Sequence, residues 1–287
     1  MRRHTALLKT LLAAVLSISG LSLQAAEDRP AVQGVDVDFY TGPISRDVWL
    51  RMKQAGQEFV IVQAWGGRSR NEFASSQLAG ARMIAGMKTA AYVLLNYDDK
   101  VCPTFADPQR DAGGRCAGKL VAQEKPGGRW QLEQGIAALG EEAANVSFIA
   151  IDVEWFLNEA PAATAAARAR RRQSITDAIT AARERGHLPV IYTRNADGHW
   201  ADITGCASDS KDNDCRDLHN TINDPMRPIP LWDVQNGSPE LGNFSPHGAW
   251  TERRGRQYSL DANVFGLAKG RTLDLNVFDW SLFSQDR

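Results

Sequence analysis

The stretch FIAIDVEWF, residues 148–156, places two acids, Asp152 and Glu154, in an otherwise apolar run. An ionised carboxylate is costly to bury unless it is paired, so a strand that carries two of them needs a reason for both. Two residues apart on a strand, they point to the same face. A cleft at the end of a strand is one place that tolerates both.

Working outward, the run is one of a series. Strand patterns fall near 33–39 (QGVDVDF), 58–63 (EFVIVQ), 89–95 (TAAYVLL), 147–153 (SFIAIDV) and 188–193 (LPVIYT). Helical patterns fall between them, near 45–55, 73–85, 130–143 and 161–185. In the last of these, Pro161 suits a first turn and Gly186 a stop. Strands with few internal charges, separated by helices, imply a parallel sheet covered on both faces. After residue 195 the pattern turns β-rich, with pieces at 229–234 (IPLWDV), 256–260 (RQYSL) and 272–276 (TLDLN) and no convincing helix between them. The sum is an α/β chain folded as a single (β/α)-barrel. A doubly wound open sheet is the alternative, but no Gly-rich phosphate loop follows the first strand. No internal repeat or linker divides residues 30–287, which are expected to form one barrel domain.

Arg2 and Arg3 precede an apolar run from Ala6 to Leu23 that ends in small residues at Ala25 and Ala26. That order predicts a signal peptide over 1–25, removed after Ala25 or Ala26, and a secreted or periplasmic protein. No later stretch is long and apolar enough to span a bilayer. Four cysteines suit an oxidising compartment. Three pairings are possible, and the local one, Cys102 with Cys116 and Cys206 with Cys215, staples two polar loops. No ligand set for zinc accompanies them, and DSKDND (209–214) lacks the glycine and terminal glutamate of a calcium loop. We therefore expect no metal and no cofactor. A formal net charge of −1 argues against a nucleic-acid partner. The RARRR run (168–172) reads as a solvated helix face.

In a parallel barrel the active site lies at the C-terminal strand ends. Asp36 and Asp38 of GVDVDFY, Asp152 and Glu154, and Asp274 of TLDLN all fall on or at the ends of predicted strands and would line one mouth. Clustered carboxylates raise at least one pKa, which suits a general acid, and glycoside hydrolysis is the chemistry that most often asks for such acids. No GxSxG elbow or HExxH spacing supports another hydrolase. Trp65, Trp155, Trp200, Trp232 and Trp250 lie at strand ends or in loops, where their faces could stack on sugars.

These residues resemble glycoside hydrolase family 25, the Chalaropsis-type lysozymes, most closely in the style of the protist, worm and fungal subgroup. GVDVDFYTGPIS is similar to that family's first strand and its early aspartate (Asp36), FVIVQAW to its second, and IAIDVEWF to its D-x-E strand. LPVIYT followed by Trp200, and PLWDVQNGSPELGNFSPHGAW followed by QYSL and TLDLNVFD, resemble its fifth strand and closing section. The resemblance implies a TIM-like (β/α)5(β)3 barrel that cleaves the β-1,4 bond between N-acetylmuramic acid and N-acetylglucosamine, acting as a monomer on peptidoglycan glycan strands. It implies Glu154 as the general acid, with Asp152, Asp36 and Asp274 orienting and tuning it. Asp38, Tyr192, Trp232, Asp233, Gln257, Tyr258 and Asn276 would contact the sugars. The chain departs from the pattern at Asp38 (often Ser), Gln63 (commonly Arg), Asp233 (usually apolar or aromatic) and Arg256 (commonly Trp or Lys), and 98–130 reads as an insertion. A chitinase-like enzyme, with its longer D-x-x-D-x-D-x-E series interrupted here by Ala150, and a glycan-binding barrel without catalysis are the alternatives.

Overall fold

A computed structural model describes residues 31–97, 100–101, 121–122, 127–154, 164–194 and 198–284. The leader-like segment, Cys102, Cys116, Trp155 and Pro161 lie outside the described residues.

Eight strands close into a barrel: β1 (Ala31–Val37), β2 (Phe59–Gly66), β3 (Lys88–Leu94), β6 (Ile149–Asp152), β7 (Pro189–Thr193), β8 (Leu231–Val234), β9 (Gly255–Ala262) and β10 (Leu273–Asp279). A short hairpin of β4 (Lys100–Val101) and β5 (Val121–Ala122) stands apart from it, in the segment read as an insertion. Neighbouring strands from β1 through β9 run parallel, whereas β10 runs antiparallel to both β9 and β1 and closes the ring. Helices follow the first five barrel strands: α1 (Arg46–Gln54), α2 (Ala74–Ala85), α3 (Gly128–Leu139), α4 (Ala165–Glu184), then α5 (His199–Thr204) and α6 (Asn213–Ile222). The final three strands follow one another without an α-helix. This is the (β/α)5(β)3 arrangement.

Alternation along each strand builds two cores. Val35, Val60, Val62, Ile149, Ile151 and Ile191 face the helices and pack against buried helix positions such as Trp49, Leu78, Leu132 and Ile179. Inside the barrel, Phe59, Phe148, Phe278 and Phe283 form an aromatic plug, with Phe59 stacked on Phe283 at 4.5 Å between centroids. Two strand glycines make room for it. A Cβ on Gly34 would lie 2.5 Å from the Phe59 ring, and one on Gly255 2.4 Å from Phe278, distances that no side chain tolerates. The plug fills one end of the interior, and the acids occupy the other.

Helix starts follow local chemistry. Ser45 caps α1 by accepting from Val48 N–H, and Thr164 caps α4 by accepting from Ala167 N–H. The helix expected from Pro161 thus begins at Ala165, because Thr164 supplies the cap. The region after 195, read as β-rich with no helix bounded in it, contains α5 and α6 before β8. Asp212 caps α6, and its Cys215, Leu218 and Ile222 are buried on one face. The Cys206–Cys215 disulfide ties the two short helices together.

The arginine run on α4 is also more than a solvated face. Arg171 lies over the Tyr97 ring at 5.3 Å. Arg172 donates to Thr204 O at 2.7 Å and pairs with Asp214 at 2.8 Å. The Arg172 contacts join α4 to α5 and α6.

Candidate active site

Strand direction explains how distant acids meet. On β1, Val35 and Val37 turn outward, so Asp36 turns inward. On β6, Ile151 and Val153 turn outward, so Asp152, and Glu154 just beyond the strand, turn inward. Asp274 is only the second residue of β10, yet it reaches the same end because β10 runs against the others, and it pairs in register with Asp36.

A hydrogen-bond network binds these groups. Gln257 Nε2 donates to Asp36 Oδ2 at 2.8 Å and to Asp274 Oδ2 at 2.9 Å. Asn276 Nδ2 donates to Asp36 Oδ2 at 2.7 Å. Behind them, the Tyr192 hydroxyl donates to Gln257 Oε1 at 2.8 Å, and Trp232 Nε1 donates to Asn276 Oδ1 at 3.0 Å. Asp261, in the left-handed backbone region at φ 54°, presents its N–H to Asp274 Oδ1 at 2.7 Å. Asp152 is different: its buried Oδ1 has no hydrogen-bond partner among the described residues.

Burial governs the ionisation of all four acids. It pushes Glu154 up to about 7, with Arg194 pulling down and the charge of Asp274 pushing up. Burial lifts Asp274 to about 6 against the Asp261 N–H. Asp36 is held well above the usual carboxylate range, first by burial and then by Asp274, with Asn276 and Gln257 opposing. Asp152 is likewise raised by burial, then by the charges of Glu154 and Asp36. Buried tyrosines Tyr92 and Tyr192 line the same space, their hydroxyls kept protonated by burial and by these acids. The mouth therefore offers neutral carboxylic acids near pH 7 beside one that ionises more readily. That combination supports proton donation and stabilisation of positive charge at one locus.

The other residues singled out in the sequence divide into two groups. Tyr192, Trp232, Gln257 and Asn276 belong to the network and hold the acids from behind. Asp38 lies at the end of β1 and accepts from Thr41 N–H at 2.8 Å and from the Thr41 hydroxyl at 3.1 Å, which closes a tight turn. Asp233 faces outward from β8, opposite to Trp232 and Val234, and pairs with buried Arg253 at 3.2 Å. Tyr258 also alternates to the outer face, its hydroxyl 3.4 Å from Gln33 Oε1. Alternation on β8 and β9 thus removes Asp233 and Tyr258 from the mouth. Four of the tryptophans proposed as sugar platforms are packing residues: Trp65 bonds Gln131, Trp200 and Trp250 meet edge-to-face at 4.9 Å, and Trp232 is 1% exposed. Among the described residues the exposed aromatic near the mouth is instead Tyr40, beside Phe39, which stacks on Phe73.

Three residues of the site were not read from the sequence. Arg194 follows β7, where pairing of Asp152 with Tyr192 continues through Val153 N–H to Tyr192 O at 2.9 Å and brings Arg194 alongside Glu154. Its signal was available, two residues beyond Tyr192 on the same face. Tyr92 had the same period-two signal on β3. Asp261 had none, because its role depends on a backbone angle. Gln63, at the position of the family's arginine, donates to Tyr92 Oη at 3.1 Å. Among the described residues no group of His, Cys, Asp and Glu is arranged to hold a metal ion.

No protein-family model and no curated protein matches the chain by sequence. Solved structures do match. A family GH25 lysozyme from Aspergillus fumigatus superposes with a TM-score of 0.59 at 17% identity, covering 89% of this chain and 100% of the other. The fold is that of the family 25 lysozymes. A bacterial lysozyme from Streptomyces coelicolor gives 0.56 at 20% identity over 88% of this chain and 94% of its own. The modular autolysin LytC from Streptococcus pneumoniae, solved with a synthetic peptidoglycan ligand, gives 0.54 at 15% identity over 86% of this chain and 46% of its own. The neighbours come from bacteria and fungi alike and favour neither subgroup.

Proposed function

We propose that the chain is an exported peptidoglycan hydrolase that cleaves the β-1,4 bond between N-acetylmuramic acid and N-acetylglucosamine. The observation that carries this reading is Glu154, a carboxyl held protonated to about pH 7 at the end of β6, facing three other acids within a lysozyme barrel. The modular autolysin LytC, matched over 46% of its length, was solved in complex with a synthetic peptidoglycan ligand, and the expected leader over residues 1–25 suits an enzyme whose substrate lies outside the cell.

In this reading Glu154 gives its proton to the glycosidic oxygen as the bond from that oxygen to the anomeric carbon breaks. Positive charge then grows on the sugar ring, where ionised Asp274 stabilises it, and water adds to the anomeric carbon, losing a proton that restores Glu154 to its acid form. Asp152, raised well above the usual carboxylate range and without a partner at Oδ1 among the described residues, supplies a polar contact deeper in the cleft. Asp36, tied to Gln257 and Asn276, holds the local charge in place.

Mass analysis of digests tests the bond. Purified protein incubated with peptidoglycan should release fragments with new reducing ends on muramic acid and leave chitin uncut. Chitobiose released from chitin would instead establish the chitinase-like alternative, and binding of peptidoglycan without cleavage at any pH would establish a non-catalytic barrel.

A further inference from the structure

We infer that Gln257 is a positioning residue: oriented by Tyr192, its side-chain amide clamps Asp36 to Asp274 across the closing seam of the barrel, and it does not bind the glycan. The inference deepens the hydrolase reading and rests on it for its kinetic consequences.

The geometry leaves the amide little else to do. Gln257 is 2% exposed. Its two N–H donors go to carboxylate oxygens at 2.8 and 2.9 Å, and its carbonyl accepts from Tyr192 at 2.8 Å. Both amide protons are thereby used, so no donor remains for a sugar hydroxyl. The orientation is also fixed. A flipped amide would set its oxygen against two carboxylate oxygens and its N–H₂ against the tyrosine, exchanging three hydrogen bonds for repulsion.

The clamp is needed where it stands. Asp36 and Asp274 are paired in register on β1 and β10, the antiparallel seam that closes the ring. Gln257, on the next strand β9, pairs with Asn276 of β10, and both amides donate to Asp36 while Gln257 also bridges to the Asp274 carboxylate. Two carboxyl groups side by side repel once both ionise. An N–H₂ group that gives one proton to each offsets that repulsion and fixes their separation, and donation to the ionised form favours it. The pair then ionises at lower pH than it would unclamped. Other groups face the same pair: Asp38 on its strand end, Asp152 and Glu154 on β6, Asp261 on β9, and the hydroxyls of Tyr92 and Tyr192, with Arg194 acting through Glu154. None of these other acids can donate an N–H from its side chain.

The test uses Gln257→Leu and Tyr192→Phe in the full mature chain. Without the clamp, kcat on peptidoglycan should fall by about tenfold or more, the loss expected of one hydrogen bond to a charged group, while KM stays unchanged. The acid limb of the pH–rate profile should move to higher pH, since the carboxylates have lost their donors. Tyr192→Phe removes one hydroxyl and should give the same changes at smaller amplitude, which keeps the test open if Gln257→Leu does not fold. A rise in KM with kcat and pH profile unchanged would overturn the inference and make Gln257 a sugar ligand. Carbon-13 titration of the Asp274 carboxyl, assigned with Asp274→Asn, needs no turnover and separates this inference from the hydrolase reading. The Asp274 midpoint rises in either variant if the clamp exists, and an unchanged midpoint overturns it whether or not the wild type cuts glycan.

Discussion

At Glu154 two effects oppose each other. Burial disfavours the carboxylate, the Arg194 guanidinium favours it, and burial wins, leaving a proton that is lost only near pH 7. Activity that needs this proton should therefore fall as pH rises through about 7, while activity that needs ionised Asp274 should fall as pH drops through about 6. Arg194→Gln removes the favourable charge, so Glu154 should keep its proton to higher pH. The alkaline limb of the pH–rate profile should move up by about one unit, read by initial rates across pH, with the acid limb less affected. A fixed alkaline limb would separate Arg194 from the acid. This pairing was legible only in part: the D-x-E spacing and the barrel rule marked Glu154, but its partner emerges from the register between β6 and β7. Asp233 shows the opposite error, since an acid on a strand was read as a mouth residue and faces outward, whereas Asp38 closes a turn and its charge still bears on Asp36, Asp274 and Tyr92.

Among the elements, the segment between β8 and β9 is organised by two arginines. Arg256 donates to the carbonyls of Gln235, Asn236 and Glu240 at 2.7, 3.0 and 3.0 Å. Arg253 reaches the carbonyls of Leu241 and Gly242 and the side chain of Gln235, and pairs with Asp233. An irregular segment with few apolar anchors needs its carbonyls satisfied, and these guanidinium groups do so. Arg253→Ala leaves Asp233 as a buried charge without that partner and should lower stability by about 3–5 kcal/mol, measured by chemical denaturation. A loss of less than about 1 kcal/mol would show that the pair is replaceable by solvent. The departures at Asp233 and Arg256 thus have a structural reason in this segment that sequence spacing did not disclose. The short helices α5 and α6 escaped for a related reason. They are short, six and ten residues, and are held by contacts that Arg172 makes from far away in sequence.

For the whole molecule, the price of the site is a set of buried acids in one end of the barrel. The unfolded chain releases the Asp152 proton near pH 3.8, whereas burial holds it to much higher pH in the fold. Between those values the native state binds the extra proton, so stability contributed by this group declines as pH rises from about 4 through its folded value. Asp152→Asn removes that dependence. Its Tm should gain on the wild type between pH 4 and pH 8, at about 2–4 °C for each kcal/mol recovered. A Tm difference independent of pH would mean that Asp152 ionises normally. The architecture was the most legible level, because eight strand patterns with helices after the first five leave few closed solutions. What the pattern could not convey was the antiparallel entry of β10, which carries Asp274 to the mouth, or the interior ordering in which amides stand behind the acids.

The central claim is that Glu154 donates the proton that breaks the glycan. The most direct measurement is turnover of peptidoglycan by Glu154→Gln, paired with binding to the same glycan and a thermal melt. Loss of general acid catalysis should lower kcat by about 10²–10⁴-fold with glycan affinity preserved and the fold intact. Activity within a few-fold of the wild type would contradict the account and assign the proton to another group.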